Sequence, residues 1–252
     1  HVYIFLEYVP GGSLAGMLEQ FGSFPDHLLR IYMYQICAGM AYLHSKRIIH
    51  RDIKGANVLV TEHGVAKLAD FGCSKQLSAM RTASFQDSLA IKGSVPWMAP
   101  EVIKQEGHGR SADVWSAGVT LVEMATAEHP WPQCTNNLAA MFFVASRSAE
   151  EPPPIPENLS DRARNFIHQC LKVNPQERFT AAELLETDFL RGAEREVASG
   201  ARALLARNGG GGGGGGSHSS RGGGSSTGGA AGESGGAVGG RRAGCCCCWA
   251  GT

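Results

Sequence analysis

The sequence predicts a mainly α-helical domain over residues 1–190, carrying one strand, one small β-hairpin and its polar motifs on loops. Three observations predict it. Leu29, Met33, Ile36, Met40 and Leu43 recur at helical spacing and make one long apolar stripe. Asp113 to Ala127 is apolar on nearly every face, as in a helix at the buried centre of a domain. Val58–Val60 and Ala66–Leu68 flank Glu62-His63-Gly64, a hairpin with its turn residue at Gly64.

Taken in order, residues 1–8 end in VYIFLEY, a β-branched and aromatic run that predicts a short buried strand stopped by Pro10-Gly11-Gly12. Ser13 to Gln20 suits a short helix. Ser23 precedes the long striped helix. Residues 69–101 show no clean period and read as a long loop, and a loop of that length in a compact domain usually has a function. Ser160 starts a helix containing Phe166, Ile167, Cys170 and Leu171. Thr180 and Glu183 form a capping box ahead of Leu184 and Leu185. No internal repeat is visible.

The 252 residues hold 23 basic and 23 acidic side chains, so charge balance gives no sign of affinity for nucleic acid or membrane. Residues 191–208 read as a helical or loose extension. From Gly209 the chain is mostly Gly, Ser and Ala, too poor in large apolar groups to offset its ordering entropy, so 209–252 is expected to be a disordered tail. Cys37, Cys73, Cys134 and Cys170 are scattered, as in a cytoplasmic protein with ordinary thiols. The run Cys245 to Cys248 is compatible with S-palmitoylation, with metal binding, and with a translated non-coding stretch. No stretch approaches the length of a membrane-spanning helix, and there is no signal-peptide pattern. The chain opens on His1 inside an apolar run, which reads as a truncated N-terminus.

The chemistry sits in His50-Arg51-Asp52-Ile53-Lys54-Gly55-Ala56-Asn57, between the long helix and the hairpin, and in Asp70-Phe71-Gly72 on the hairpin's far side. Two strands joined by a tight turn bring their outer ends together, so Asn57 and Asp70 are expected side by side. An Asp and an Asn presenting oxygens to one point suit Mg²⁺ carrying phosphates. Asp52, in the same loop, can orient a hydroxyl for in-line attack and accept its proton late. Lys54 adds a charge suited to the transferring phosphoryl group. The same side chains are also ordinary turn formers; the combined pattern, rather than any one residue, carries the reading.

These segments resemble the protein kinase superfamily. Residues 50–57 look like its catalytic loop, 70–72 its metal-binding DFG, and Ala99-Pro100-Glu101 the APE that closes the activation segment. The resemblance covers about residues 1–190 and implies an α+β kinase-like fold, here mainly the helical C-lobe, with the small N-lobe missing. It implies that Asp113 holds the catalytic-loop backbone, that Arg178 pairs with Glu101, and that His50, Phe71 and Gly72 align the site. Glu7-Tyr8-Val9 resembles the adenine-binding hinge. Leu6 would then be the gatekeeper, Leu59 the floor under the base and Ser13 a ribose-side contact. ATP and Mg²⁺ are the implied cofactors.

Lys54 after the catalytic Asp, and the run Gly93-Ser94-Val95-Pro96-Trp97-Met98, resemble Ser/Thr rather than tyrosine kinases. The Ser94 hydroxyl is expected to bond Asp52 and Lys54. FLEYVPGGSL, HRDIKGANVLV, WMAPEVI and PPIPENLS look most like MAP kinase kinase kinases of the plant and algal MEKK group. That implies a MAP kinase kinase as substrate, and activation by an upstream kinase or by autophosphorylation. Arg51 beside Asp52 implies a phosphorylated activation loop as counter-charge, with Thr82, Ser84 and Ser88 as candidate sites, each equally a solvated hydroxyl. Cys73 would face the ATP cleft. The Gly-rich loop, strand Lys and helix Glu of a complete kinase have no match in this sequence, so the fragment alone is expected to be weakly active or inactive. The competing expectations are a non-catalytic binding module and an incomplete gene model.

Overall fold

The computed structural model describes residues 3, 5–76, 93–107, 109–134, 136–147 and 153–199, all within one compact unit spanning 1–207. The expected tail at 209–252 lies outside them. Helix α1 (Leu14–Phe21) is capped by Ser13, whose Oγ accepts from Gly16 N. Helix α2 (Asp26–Ser45) follows Pro25 and runs 20 residues. Its predicted stripe is the buried one: Leu29, Met33, Ile36 and Met40 are at most 1% exposed. Strand β1 (Ile48–Ile49) then leads into a 3₁₀ turn (Gly55–Asn57) and the antiparallel hairpin β2 (Val58–Val60) and β3 (Ala66–Leu68). Gly64 takes a positive φ of 74° in its turn.

Helix α3 (Pro100–Ile103) is short, and α4 (Arg110–Thr126) is the central helix expected from Asp113 onward, begun one turn earlier. Thirteen consecutive residues of α4, Ala112 to Met124, are buried. Helices α2, α4 and α6 (Asp161–Cys170, capped by Ser160) and α7 (Ala181–Leu185) enclose one core, in which the Phe166 and Phe189 rings lie 5.4 Å apart. A second cluster joins α3 and α4 to Trp131 and to Val144 of α5 (Asn137–Arg147). The capping box holds, with Thr180 Oγ1 accepting from Glu183 N and the Glu183 carboxylate accepting from Thr180 N. Residues 193–199 are helical, tied to α2 by an Arg30–Glu196 ion pair of 2.5 Å.

One expectation is corrected. The buried strand does not form in the described residues of 1–8: residues 3 and 5–9 form no ladder, and Tyr3, Phe5, Leu6 and Tyr8 are 79–95% exposed. Strand-forming composition supplies side chains but not a neighbour, and among the described residues no strand lies beside this segment to satisfy its backbone. The described parts of the loop at 69–101, residues 69–76 and 93–101, carry short elements. Strand β4 (Lys75–Gln76) pairs antiparallel with β1, Ile48 opposite Gln76 and Ile49 opposite Lys75. A two-residue pairing is too short to leave a period in the sequence. Helix α5 was not expected at all.

Glu101 of α3 and Arg178 form a bidentate ion pair, 2.5 and 2.8 Å, almost fully buried. Arg178 also donates to the carbonyls of Ser111, Lys172 and Val173, and its guanidinium lies 5.0 Å over the Trp115 ring. One cation thus ties α3, the start of α4 and the stretch after α6. Removing one partner of a buried pair strands the other charge, which costs about 3–5 kcal/mol. Arg178→Ala is therefore expected to lower the unfolding free energy by about that amount in urea titration.

Candidate active site

Asp113, in the first turn of α4 and wholly buried, organises the loop after β1. Its Oδ2 accepts from His50 N at 2.9 Å and from His44 Nε2 at 2.8 Å, and its Oδ1 accepts from Arg51 N at 2.8 Å. Arg51 sits at φ 68°. A left-handed non-glycine residue costs about 1 kcal/mol or more, so it persists only where its surroundings fix it. Here two consecutive amides are held by one carboxylate. The Arg51 side chain reaches Cys73 O at 2.5 Å and Ser74 O at 3.3 Å.

The next residue is Asp52, 8% exposed. Its Oδ1 accepts from Ser94 N at 2.9 Å. Its Oδ2 accepts from Asn57 Nδ2 at 2.8 Å and lies 3.1 Å from Lys54 Nζ. Lys54 in turn donates to the Ser94 hydroxyl. Burial alone would raise the Asp52 pKa. The hydrogen bonds from Lys54 and Ser94, with the Lys54 charge, outweigh it and hold the carboxyl below its ordinary 3.8. Gly93, at φ 111°, allows the close approach: a Cβ there would lie 2.4 Å from Arg51 O.

Asn57 Nδ2 donates to both Asp52 O and Asp52 Oδ2, which leaves its Oδ1 as an acceptor. The hairpin ladder pairs Val58 with Leu68, and Ala69 N donates to Asn57 O at 2.9 Å. Asp70 follows at φ 62°, exposed, its Oδ1 accepting from Gly72 N. His50 Nε2 lies 3.1 Å from Ala69 O, and the His50 and Phe71 rings are 5.1 Å apart. Burial pushes the His50 pKa down, against the pull of the Asp113 charge, and a neutral ring suits an Nδ1 that accepts from Asp52 N. His50 and Phe71 thus join the loop to the 70–72 turn.

The donor set fits magnesium: one amide oxygen and one exposed carboxylate on adjoining backbone leave most coordination positions for phosphate and water, as this ion prefers. Among the described residues no group of three or more His, Cys, Asp or Glu side chains could close a site by itself. Leu59 and Ser13 are also brought together, by a bridge between their backbones and by Val60 N donating to Gly12 O. Ser13 Oγ is the cap of α1 but keeps its own hydrogen for a ligand. Glu7 pairs with Lys67 of β3 at 2.6 Å. Val9 is half-buried and Leu6 is 85% exposed, so Leu6 is not packed against the site. Thr82, Ser84 and Ser88 lie outside the described residues. Cys73 is half-buried beside the loop.

A cavity of about 790 Å³ lies elsewhere, where Asp26, His27 and Arg30 of α2 face Ser160, Arg162 and Phe189. Sequence reasoning passed over Glu123, whose carboxylate accepts from Gly55 N and Trp97 Nε1. The available signal was a lone acid inside the apolar run VTLVEMA.

Residues 1–190 match the protein kinase domain family. The chain belongs to that family. Over 196 residues it is 48% identical to mitogen-activated protein kinase kinase kinase 2 of Arabidopsis thaliana, covering 78% of this chain and 30% of that protein. It is 45% identical over 194 residues to mitogen-activated protein kinase kinase kinase A of Dictyostelium discoideum (77% and 20%). To human mitogen-activated protein kinase kinase kinase 19 it is 41% identical over 191 residues (75% and 14%). The chain thus spans less than a third of the length of these relatives.

The depressed Asp52 pKa gives a pH signature. In the unfolded chain this carboxyl binds its proton at the ordinary 3.8; in the folded chain it binds it only at lower pH. Its contribution to stability is therefore complete above about pH 4 and is lost as pH falls through the folded value. Melting temperatures measured from pH 6 down to pH 2.5 are expected to show the gap between the unsubstituted protein and Asp52→Asn closing below about pH 4.

Proposed function

We propose that this chain carries the hydroxyl-orienting and metal-holding part of a Ser/Thr protein kinase that passes the γ-phosphoryl group of ATP to a MAP kinase kinase, in the cytoplasm, as a step of a MAP kinase cascade. The observation that carries the reading is the Asp52 carboxylate, fixed by Ser94 N, Asn57 Nδ2 and Lys54 Nζ at 2.9, 2.8 and 3.1 Å. The names of the relatives support the cascade and the substrate class.

Asp52 is the acceptor for the substrate hydroxyl's proton. Because its donors hold it ionised, it orients the hydroxyl first and takes the proton late, once the oxygen–phosphorus bond is forming. Lys54, shared between Asp52 and Ser94, places a positive charge where the moving phosphoryl oxygens gather charge. Asn57 Oδ1 and the Asp70 carboxylate would hold Mg²⁺. The hinge residues Glu7 and Val9, with Leu59 and Ser13, would hold the nucleoside. Bound MgATP supplies the transferable phosphoryl group and the divalent charge. Phosphorylation at Thr82, Ser84 or Ser88, by an upstream kinase or in cis, would give Arg51 a counter-charge.

The test is phosphate transfer from labelled ATP to a MAP kinase kinase by the full-length gene product. Asp52→Asn is expected to lower kcat by about 10²-fold or more. Retention of activity within a few-fold sinks the assignment of Asp52, and an unsubstituted protein that phosphorylates no Ser/Thr substrate sinks the kinase reading.

A further inference from the structure

The hairpin of β2 and β3 carries both residues proposed to hold the metal, Asn57 before β2 and Asp70 after β3, and its two outer edges are secured in different ways. On the β2 side the anchors are backbone: Val60 N donates to Gly12 O at 2.8 Å, and Ser13 bridges to Leu59. On the β3 side the sheet ends, and among the described residues no third strand pairs there. An open edge leaves amides and carbonyls that something else must satisfy.

Gln35 of α2, half-buried, meets that edge. Its Oε1 accepts from Ala66 N at 2.9 Å, and its Nε2 donates to Gly64 O at 3.3 Å. Nε2 also donates to Ile31 O, 3.4 Å away in the preceding turn of α2. Ala66 N can only donate and Gly64 O only accept, so the partners decide which end of the amide faces which. One side chain thus offers an acceptor and a donor to one edge, as a neighbouring strand would. One helical turn further on, Gly39 lets β3 lie close, for a Cβ there would be 3.2 Å from Leu68 Cδ1. Residues 35 and 39 share a face of the helix, and 66 and 68 share a face of the strand. So β3 is seated on α2 in one register, Ala66 at Gln35 and Leu68 at Gly39.

We propose that Gln35 is a positioning residue for the divalent-metal site: by holding the start of β3 on α2, it fixes the angle at which the strand delivers Asp70 to Asn57. This deepens the kinase reading and rests on it. Asn57 is fixed separately, through its Nδ2 bonds to Asp52. Asp70 is exposed, and its Oδ1 accepts from Gly72 N within its own turn, so its place follows from the strand that carries it. The Ala69 contacts with Asn57 and His50 hold one end of that strand, and Gln35 holds the other.

Mn²⁺ added with ATP to the full-length gene product, followed by electron paramagnetic resonance, reads the site without turnover. Gln35→Met keeps the length of the side chain and removes both bonds to the hairpin. It is expected to raise the Kd of Mn²⁺ with ATP about 10-fold, while KM for the protein substrate stays within about two-fold. Gln35→Glu keeps the acceptor for Ala66 N and loses the donor to Gly64 O, so its Kd should fall between the two. The Gln35→Met/Asp70→Asn double variant should bind no more weakly than Asp70→Asn alone, because Gln35 acts through Asp70. A merely structural role would lower the folded fraction, giving fewer sites of unchanged Kd.

Hydrogen exchange at the Ala66 amide tests the anchor without any ligand. It is expected to quicken in Gln35→Met and to stay slow in Gln35→Glu. If the unsubstituted protein binds no Mn²⁺ with ATP, the metal-site reading fails, and exchange alone decides whether Gln35 holds the strand. The proposal is overturned if Gln35→Met leaves the Kd of a binding-competent protein unchanged, if Gln35→Glu behaves as Gln35→Met does, if the double variant is additive, or if Ala66 exchange is unaltered by Gln35→Met.

Discussion

The arrangement of the site depends on one buried carboxylate. Asp113 is wholly inaccessible to solvent, and a charge in that position is tolerable only when its oxygens are fully occupied. Three donors occupy them: His50 N, Arg51 N and His44 Nε2. Because two of the three are consecutive backbone amides, the carboxylate dictates a conformation as well as a position. Arg51 is carried into the left-handed region, and the chain turns so that Asp52 meets Ser94 and Lys54. The third donor comes from the last turn of α2, so the same group also sets the approach of α2 to α4. A long apolar stripe and a thirteen-residue buried run supply the packing that makes this burial possible.

From Asp113 outward, the site is a set of crossed backbones fixed by side chains rather than a cavity. The loop at 50–57 is held from below by α4, from the hairpin side by Ala69 N on Asn57 O, and from above by Ser94 N on Asp52. Gly93 permits the last contact by having no Cβ to meet Arg51 O. Short-range rigidity of this kind suits phosphoryl transfer, in which protein groups position and neutralise rather than form bonds. An enclosed pocket is not needed on this side, and the 790 Å³ cavity lies apart from it, at the N-terminal ends of α2 and α6.

Much of this was legible in the sequence, and the legible parts share a cause. The α2 stripe, the hairpin around Gly64, the Ser160 cap and the Thr180–Glu183 box are local, each determined by residues within a few positions of one another. The links of Asp113 to the 50–51 amides, of Glu101 to Arg178 and of Lys54 to Ser94 join residues 40–77 positions apart, and only the resemblance to a family made them readable. Where no resemblance pointed, the long-range part was missed. Nothing near Glu123 announces Gly55, 68 positions away, or Trp97. The failure at residues 5–8 has the opposite origin: there the local signal was strong, and strand formation failed because it requires a partner backbone that composition does not supply.

The electrostatics of Asp52 bear on the part in phosphoryl transfer proposed for it. A base that removes a proton outright gains from a raised pKa, because its proton affinity is then closer to that of the group it attacks. Asp52 lies on the other side of that choice, its carboxyl held below the ordinary value by Lys54 and Ser94. Such a group is a weak base and a firm hydrogen-bond acceptor. In a transition state where the attacking oxygen has bonded little to phosphorus, its proton is still held tightly, and early abstraction would gain nothing. The useful work is then alignment, and alignment improves with every additional donor that fixes the carboxylate, even as each donor lowers its basicity. Asn57 Nδ2, Ser94 N and Lys54 Nζ converging on one carboxylate therefore favour orientation over proton affinity, which suits a proton moving after the phosphoryl group rather than before it.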